Sequence, residues 1–265
     1  MEKQYGDASN LNARITLHER FSTSKYPLPR WLFDQLELPP DARILEIGCG
    51  TGKLWAENLE RIPEAWSITL TGLYPGMLRE AERNFGGSRN FGFLVADAQE
   101  LLFEDGTFDA VVANHMLHHV PDLRLTLSEL ARILGHDVIL YAATNGRDHL
   151  REMNRMMQFL DPAHPGDGLA ERVGAFSLEN GAEQLSSHFP DVSLLRYEDA
   201  LAVTEAQPLV DYVLSAMSVQ EAVADLSEQE LRARVSRLTE SLERELAADG
   251  EIRITKETGL FVAQR

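Results

Sequence analysis

The stretch Arg43-Ile-Leu-Glu-Ile-Gly-Cys-Gly-Thr-Gly-Lys-Leu-Trp55 joins a short apolar run to a series of closely spaced glycines. Ile44, Leu45 and Ile47 are typical of a central strand of a parallel sheet, which is buried on both faces. The glycines follow at alternate positions, at Gly48, Gly50 and Gly52. Residues without side chains let the backbone turn sharply and approach a bound molecule, and ligands of open α/β sheets bind at the carboxyl ends of strands. The stretch therefore predicts a strand, a ligand-binding loop and the start of a helix.

Strands and helices are predicted to alternate along the chain around this stretch. The predicted strands are 42–48, 67–73, 91–95, 108–114 and 137–143, and the predicted helices between them are 52–61, 75–85 and 122–134. Such alternation is typical of an α/β fold in which a doubly wound, mostly parallel sheet carries helices on both faces.

The flanking segments are predicted to be mainly helical. Residues 10–38 have the pattern of amphipathic helices with a break at Pro27 and Pro29, and 161–168 is a proline and glycine loop that we expect to be mobile. The elements predicted beyond it are a helix at 178–189 capped by Ser177, a strand at 192–197, a helical section at 205–249 with a capping box at Ser227 and Glu230 and a stop at Gly250, and a strand or hairpin at 251–263.

The composition narrows the classes of function. The chain has 265 residues with 42 acidic and 25 basic side chains, and its formal charge of −17 would repel a nucleic acid backbone. The sequence has no apolar stretch of signal-peptide or membrane-helix length, so we expect a cytoplasmic protein without a membrane partner. The single Cys49 excludes an intramolecular disulfide, and its place in the glycine loop favours a structural thiol over a nucleophile.

The spacing of the glycines indicates which kind of ligand the loop binds. Dinucleotide sites use G-x-G-x-x-G, whereas the glycines here are spaced G-x-G-x-G and are preceded by Glu46. A carboxylate is a poor neighbour for a pyrophosphate, but it can meet an ammonium group or an ordered water. A nicotinamide oxidoreductase is disfavoured for this reason, and also because Gly72 offers a ribose neither a carboxylate nor an arginine.

The motif E-x-G-x-G-x-G resembles the first motif of the class I S-adenosylmethionine-dependent methyltransferases, whose cofactor has a cationic amino acid tail and no phosphates. By motif, the resemblance covers roughly residues 40 to 145. It implies a seven-stranded sheet that ends in an antiparallel pair, with helical insertions that form a cap. The implied domains are an N-terminal helical lid segment at 1–38, a Rossmann-like cofactor-binding core at 39–145, and the remainder of the sheet at 146–265 with cap insertions at about 146–190 and 205–250.

The resemblance also implies roles for individual residues toward S-adenosyl-L-methionine. Asp97 and Ala98 resemble the pair that binds adenine, and Tyr26 resembles a tyrosine that closes over the cofactor. The alternative, which we disfavour beside the glycine loop, is a surface Asp97 that caps a short helix at 98–102. The full predicted set of cofactor-binding residues is Tyr26, Glu46, Gly48, Cys49, Gly50, Gly52, Gly72, Leu73, Met77, Asp97, Ala98, Asn114 and His115.

Gly72 is where the chain departs from the family. The segment Leu70-Thr-Gly-Leu-Tyr-Pro-Gly-Met-Leu78 resembles the family's D-x-S-x-x-M-L, in which the acid binds the ribose hydroxyls, but Gly72 and Tyr74 replace its two polar residues. Three interpretations are open: weaker binding with contacts supplied elsewhere, a pocket enlarged at the ribose edge, or a domain that has lost its catalytic role. We favour the first, because the other motifs are present.

Histidines follow the predicted strand 108–114. His115, His118 and His119 invite a metal-site interpretation, which we disfavour because the segment passes from strand to loop and lacks carboxylate or cysteine partners. His118 or His119 is a candidate general base, since imidazole titrates near neutral pH. The alternative is that each histidine simply binds the backbone of the turn before Pro121.

The sequence thus predicts S-adenosylmethionine-dependent methyl transfer to a small-molecule acceptor by in-line displacement. Our second hypothesis is an S-adenosylmethionine-binding protein of the same fold that has lost or changed this activity, and the substitutions at Gly72 and Tyr74 motivate it.

Overall fold

A computed structural model describes residues 16–85, 87, 90–163 and 174–265. The strands are β1 Arg43–Glu46, β2 Ser67–Gly72, β3 Phe91–Val95, β4 Phe108–Asn114, β5 Leu134–Asn145, β6 Asp191–Tyr197, β7 Ala200–Val203, β8 Ile252–Thr255 and β9 Thr258–Gln264. The helices are α1 Leu28–Asp34, α2 Lys53–Ala56, α3 Pro75–Asn84, α4 Leu123–Ile133, α5 Arg151–Leu160, α6 Gly181–Ser186, α7 Ala206–Leu214, α8 Met217–Val223 and α9 Glu228–Asp249. Residues 16–21 are also helical.

The chain forms two compact units, each built from separate segments. The sheet unit consists of Tyr26–Arg147, Arg172–Tyr197 and Thr258–Arg265. The helical unit takes in the described residues of Met1–Lys25, Asp148–Glu171 and Glu198–Glu257. The functional division into a lid at 1–38, a core at 39–145 and a capped remainder stays a prediction.

The described strands of the sheet unit form the expected seven-stranded sheet. Its order is β3-β2-β1-β4-β5-β9-β6. The strands from β3 to β5 pair in parallel, and β9 runs antiparallel to both β5 and β6. The chain proceeds from β1 outward in one direction and from β4 outward in the other, so the strand order reverses between β1 and β4. In open α/β sheets such a reversal creates a crevice at the carboxyl ends of the two strands.

Alternate residues of the central strands pack on opposite faces of this sheet. Ile44 belongs to a buried cluster with Trp55 and Ile68, whereas the next residue, Leu45, belongs to a second cluster with Val111 and Leu130. This alternation follows from the period of two along a strand. It confirms β1 as a central strand covered on both sides.

The helical unit has its own core, in which the methionines of α5 pack against α7, α9 and β8. Met153 and Leu238 are both 0 % exposed. The capping box is confirmed, with Ser227 accepting from the Glu230 backbone N–H and the Glu230 side chain accepting from the Ser227 backbone. Gly250 ends α9 with a left-handed φ of 80°.

The predicted helix 52–61 is shorter than expected. Only α2, of four residues, and a 3₁₀ turn at Leu59–Arg61 are formed. Asn58 lies between them, and its side-chain amide donates to the carbonyls of Leu54 at 2.7 Å and Pro29 at 3.1 Å. A side chain that takes the backbone carbonyls in this way competes with the helical hydrogen bonds.

The predicted helix 178–189 begins later than expected, because Ser177 does not cap it. Asn180 precedes α6, and its Oδ1 accepts from the Ser177 backbone N–H at 2.7 Å. The helical section predicted at 205–249 consists of three helices, α7 to α9. The prediction of a strand or hairpin at 251–263 is wrong in its pairing, since β8 pairs with β7 in a separate two-stranded sheet while β9 joins the large sheet.

The predicted helical segment 10–38 falls partly outside the described residues, and so does the loop at 161–168. Within the described part of the first segment, 16–21 and α1 are helical, and Pro27 precedes α1 in an extended conformation. None of the described helices combines the length and the apolar character that crossing a membrane requires.

Candidate functional site

The glycine loop after β1 has the backbone that its sequence predicts. Gly48, Gly50 and Gly52 have φ values of 61°, 58° and 73°, which side chains disfavour. A Cβ on Gly52 would lie 2.6 Å from Phe85, and one on Gly48 would lie 2.9 Å from Met116. A Cβ on Gly50 would meet only Met77 among the described residues, at 3.7 Å. Gly48 and Gly52 therefore permit internal packing, while Gly50 leaves the loop open.

A buried hydrogen-bond network joins β1 to β4 at the crevice where the strand order reverses. Glu46 is 2 % exposed and accepts from Trp55 Nε1 at 2.7 Å and from Asn114 Nδ2 at 3.0 Å. Burial raises the pKa of Glu46 to about 8, which the two hydrogen bonds only partly offset. The group is thus mostly protonated at neutral pH. Asn114 Oδ1 is buried and has no hydrogen-bond partner among the described residues.

Cys49 is buried in the loop. Burial, with a smaller contribution from Glu46, raises the pKa of its thiol to about 12. A thiol that stays protonated is neither a nucleophile nor a metal ligand, as expected of a structural cysteine.

The end of β2 is open. Gly72 is the last residue of the strand, and a Cβ built on it meets no atom of the described chain within 4 Å. The next two side chains, Leu73 and Tyr74, are 54 % and 39 % exposed. Met77 lies on the first turn of α3, and its Cε is the atom nearest the open side of Gly50. The structure thus brings Met77 to the glycine loop.

Asp97 follows β3 in a tight turn rather than at the start of a helix. Its Oδ1 accepts from the backbone N–H of Gln99 at 2.9 Å, and Glu100 N donates to the Asp97 carbonyl at 3.1 Å. The short helix at 98–102 is therefore not formed. Ala98 is partly buried against the core of the sheet unit, and Leu101 is buried in that core.

The histidines lie in the turn that follows β4. His115 has a left-handed φ of 50° and donates its backbone N–H to Ala143. Burial, followed by the neighbouring His119, lowers the pKa of His115 to about 4 and that of His118 to about 3. His118 Nδ1 is buried and unpaired within the described chain, while His119 is exposed with its ring 4.1 Å from that of His118. In the described ranges, no three His, Cys, Asp or Glu side chains are placed to hold a metal ion.

Tyr26 begins the sheet unit. Its hydroxyl donates to Asp34 at 2.6 Å, and this bond raises the pKa of Tyr26. Its carbonyl accepts from the Tyr197 hydroxyl, so both ends of the residue are anchored in the sheet unit.

Sequence reasoning did not identify Trp55, Phe85 and Met116 as parts of the site. Trp55 holds Glu46, and the other two side chains fill the space that Gly52 and Gly48 leave. The only sequence signal was the place of Trp55 shortly after the loop, since the other two contacts join segments distant along the chain.

The residues at the crevice fit an adenosyl cofactor with a cationic amino acid tail. The open side of Gly50 admits a ligand to the backbone, and the exposed Leu73 provides apolar surface. Asn114 Oδ1, which has no partner in the described part of the chain, is an acceptor that an ammonium group can satisfy, and Glu46 beside it gains charge when a cation approaches.

Comparisons with known proteins agree with this geometry. A family profile described as a methyltransferase domain matches residues 45–142. Malonyl-[acyl-carrier protein] O-methyltransferase from Geobacter sulfurreducens is 30% identical over 197 residues, which are 68% of this chain and 73% of that protein.

Two solved structures show the same fold. A protein from an antibiotic biosynthesis pathway of Anabaena variabilis superposes with a TM-score of 0.61 at 15% identity, covering 90% of this chain and 98% of that one. Haemonchus contortus phosphoethanolamine N-methyltransferase 2, in complex with phosphomonomethylethanolamine and S-adenosylhomocysteine, has a TM-score of 0.57 at 19% identity, covering 99% of this chain and 58% of that one.

Proposed function

Since the chain belongs to the class I S-adenosylmethionine-dependent methyltransferases, we propose how its own residues bind the cofactor and prepare an acceptor for methyl transfer. The observation that carries the proposal is the crevice between β1 and β4, where left-handed glycines lie beside a buried glutamate and an asparagine oxygen that no described residue pairs with. S-adenosylmethionine supplies an electrophilic methyl group on a sulfonium, so no residue is needed to activate it.

The glycine loop and the end of β4 contact different parts of the cofactor. Gly50 presents backbone to the ligand, while Glu46 and Asn114 Oδ1 receive its ammonium group. Leu73 and Met77 form an apolar wall for the adenine. Asp97 and the backbone of Ala98 form hydrogen bonds with the polar edge of the adenine. Gly48, Cys49 and Gly52 act through the loop conformation, as their side-chain positions are filled or buried.

Catalysis in this proposal depends mainly on alignment. Holding an acceptor atom in line with the methyl–sulfur bond can lower a barrier by about 7 to 11 kcal/mol. Asn114 and His115 lie at the end of β4, beside the crevice, and we place them next to the transferred group. Tyr26, with its hydroxyl fixed by Asp34, is proposed to cover the cofactor.

A general base is useful only when the acceptor must lose a proton. His118 is a weak base, because its pKa is lowered to about 3, and general-base efficiency follows basicity. We therefore assign the role to the exposed His119 if the acceptor is a hydroxyl. A neutral amine or a carboxylate needs no base.

We propose an oxygen of a small molecule as the acceptor, supported by the O-methyltransferase activity that names the Geobacter relative. The formal charge of −17 disfavours nucleic acid as a substrate, and we place the protein in the cytoplasm.

Calorimetric titration tests the cofactor first. S-adenosylmethionine and S-adenosylhomocysteine are expected to bind with micromolar affinity, whereas NADH is not expected to bind. Radiolabelled S-adenosylmethionine with a panel of small carboxylates, hydroxyls and amines then tests transfer. Tight cofactor binding without transfer to any acceptor would favour the second hypothesis, a binding protein of the same fold.

A further inference from the structure

We propose that Gly72 leaves the ribose hydroxyls of the cofactor without a carboxylate partner, so that this site accepts ribose-altered cofactors that a carboxylate would discriminate against. The inference rests on the proposed cofactor site and adds a specificity-determining residue to it. It replaces the interpretation that we favoured from the sequence, weaker binding with contacts supplied elsewhere, by the enlarged ribose edge, because a Cβ on Gly72 meets no described atom within 4 Å.

Gly72 lies at the end of β2, where a ribose-binding acid is expected. Nucleotide-binding α/β folds place an acid at the end of the second strand, about 20 residues beyond the glycine loop, where it binds a ribose hydroxyl. Gly72 ends β2, and a Cβ on it would meet no described atom within 4 Å. No described residue therefore takes the place of the missing side chain, and within the described chain the space beside the strand end is open.

The two carboxyl groups of the proposed cofactor site are assigned to other parts of the cofactor. Glu46 is buried, accepts from Trp55 and Asn114, and faces the ammonium group, whereas Asp97 accepts from Gln99 in its own turn and faces the adenine. Tyr74, 39 % exposed, offers a neutral phenol, which makes a weaker hydrogen bond than a charged carboxylate.

Binding of three probes tests this inference without any acceptor: S-adenosylhomocysteine, its 2′-deoxy analogue and its 2′-O-methyl analogue, each titrated by calorimetry. In the wild-type protein, removal of the 2′ hydroxyl should change Kd by less than about twofold, because no charge-assisted hydrogen bond is lost. The 2′-O-methyl analogue should bind within about threefold of the parent, since the edge has room for a methyl group.

Gly72→Asp should create the discrimination that the wild type lacks. We expect S-adenosylhomocysteine to bind at least about tenfold more tightly than the 2′-deoxy analogue, as a charge-assisted hydrogen bond is gained. The 2′-O-methyl analogue should lose affinity in this variant. Gly76→Asp is the matched control: its Cβ is equally free of described neighbours, it adds the same charge, and it lies on α3 rather than at the end of β2. Gly76→Asp should leave the ratio of the two Kd values, 2′-deoxy analogue to S-adenosylhomocysteine, as it is in the wild type.

The outcomes separate the inference from the function it rests on. If the wild type binds S-adenosylhomocysteine but binds the 2′-deoxy analogue with a Kd tenfold or more higher, another group recognises the ribose and the inference is wrong. If S-adenosylhomocysteine itself does not bind, the cofactor site is wrong and the inference falls with it. The ratio of the two Kd values in the wild type tests the inference even if Gly72→Asp fails to fold.

Discussion

Glu46 is a carboxyl group that the fold keeps protonated at neutral pH. Its pKa is raised from 4.5 to about 8 by burial. Between these two values the folded state retains a proton that the unfolded state releases, so the free energy of unfolding falls as pH rises. Glu46→Gln removes the titrating group and keeps the volume, although it leaves one acceptor oxygen where Glu46 accepts two hydrogen bonds. We expect the stability of the variant relative to the wild type to rise by about 1 to 3 kcal/mol between pH 5 and pH 8.

Urea denaturation at several pH values measures this effect. The difference in the free energy of unfolding between Glu46→Gln and the wild type should shift in favour of the variant from pH 5 to pH 8. Glu60→Gln is the control, since Glu60 is exposed and pairs with Arg30. A constant difference across this range would show that Glu46 does not titrate there.

Cofactor binding should also release a proton from Glu46. A cation beside the carboxyl favours its charged form, which lowers its pKa on binding. Titration of S-adenosylhomocysteine at pH 7 in buffers of different ionisation enthalpy should therefore show net proton release, and Glu46→Gln should abolish it. An unchanged release in that variant would assign the proton to another group.

At the scale of elements, the junction between the glycine loop and α2 is sensitive to a single methyl group. Gly52→Ala forces an alanine into a φ of 73° and places its Cβ 2.6 Å from Phe85. The left-handed backbone costs about 1 to 2 kcal/mol, and overpacking adds about 1 to 3 kcal/mol. We expect a loss of both stability and cofactor affinity in thermal unfolding and calorimetry.

Gly250→Ala is the matched control for this substitution. Gly250 has a similar φ of 80°, but a Cβ on it contacts nothing in the described chain within 4 Å. It should therefore show the backbone cost alone. Equal destabilisation by the two substitutions would mean that the contact with Phe85 relaxes freely.

The helical unit contains a buried ion pair that joins several of its segments. Asp199 is 1 % exposed, pairs with Lys256, and also accepts from the hydroxyl of Ser22 at 2.7 Å and the backbone of Ser24 at 3.0 Å. Asp199→Ala leaves Lys256 with an uncompensated charge, and we expect a loss of about 3 to 5 kcal/mol in urea denaturation.

Glu205→Ala is the control for that variant, because it breaks the exposed pair with Arg20. The pair has both side chains about half exposed, and it should contribute less than about 1 kcal/mol. Similar effects of the two substitutions would contradict the importance of burial.

The sequence predicted the elements whose bounds are set by neighbouring residues, and it missed features that depend on contacts between distant segments. The bounds of β3 and β4 were predicted correctly, since strand patterns and turn residues bracket them. The end of α2 was missed because the Asn58 amide binds carbonyls on two segments. At the site, the glycine loop was predicted from its spacing, whereas its contact with Met116 comes from a segment far along the chain.

At the scale of the whole molecule, every predicted cofactor residue falls in the sheet unit. Ligand that binds the folded state alone stabilises it by about 2.7 kcal/mol at a concentration of 100 Kd. Hydrogen exchange with and without S-adenosylhomocysteine should therefore show slower exchange in 44–52 and 110–119 and little change in α7 and α9. Equal protection of α7 and α9 would indicate that the helical unit also contributes to the cofactor site.

Because β9 lies between β5 and β6, this part of the sheet cannot form until β9 has been translated. Both neighbours are synthesised before Glu198–Glu257, and β9 follows that segment. Until β9 is translated, β5 and β6 lack the strand that lies between them in the described sheet. Unpaired strand edges are templates for aggregation. We therefore expect nascent chains that end within Glu198–Glu257 to aggregate more readily than chains that include β9.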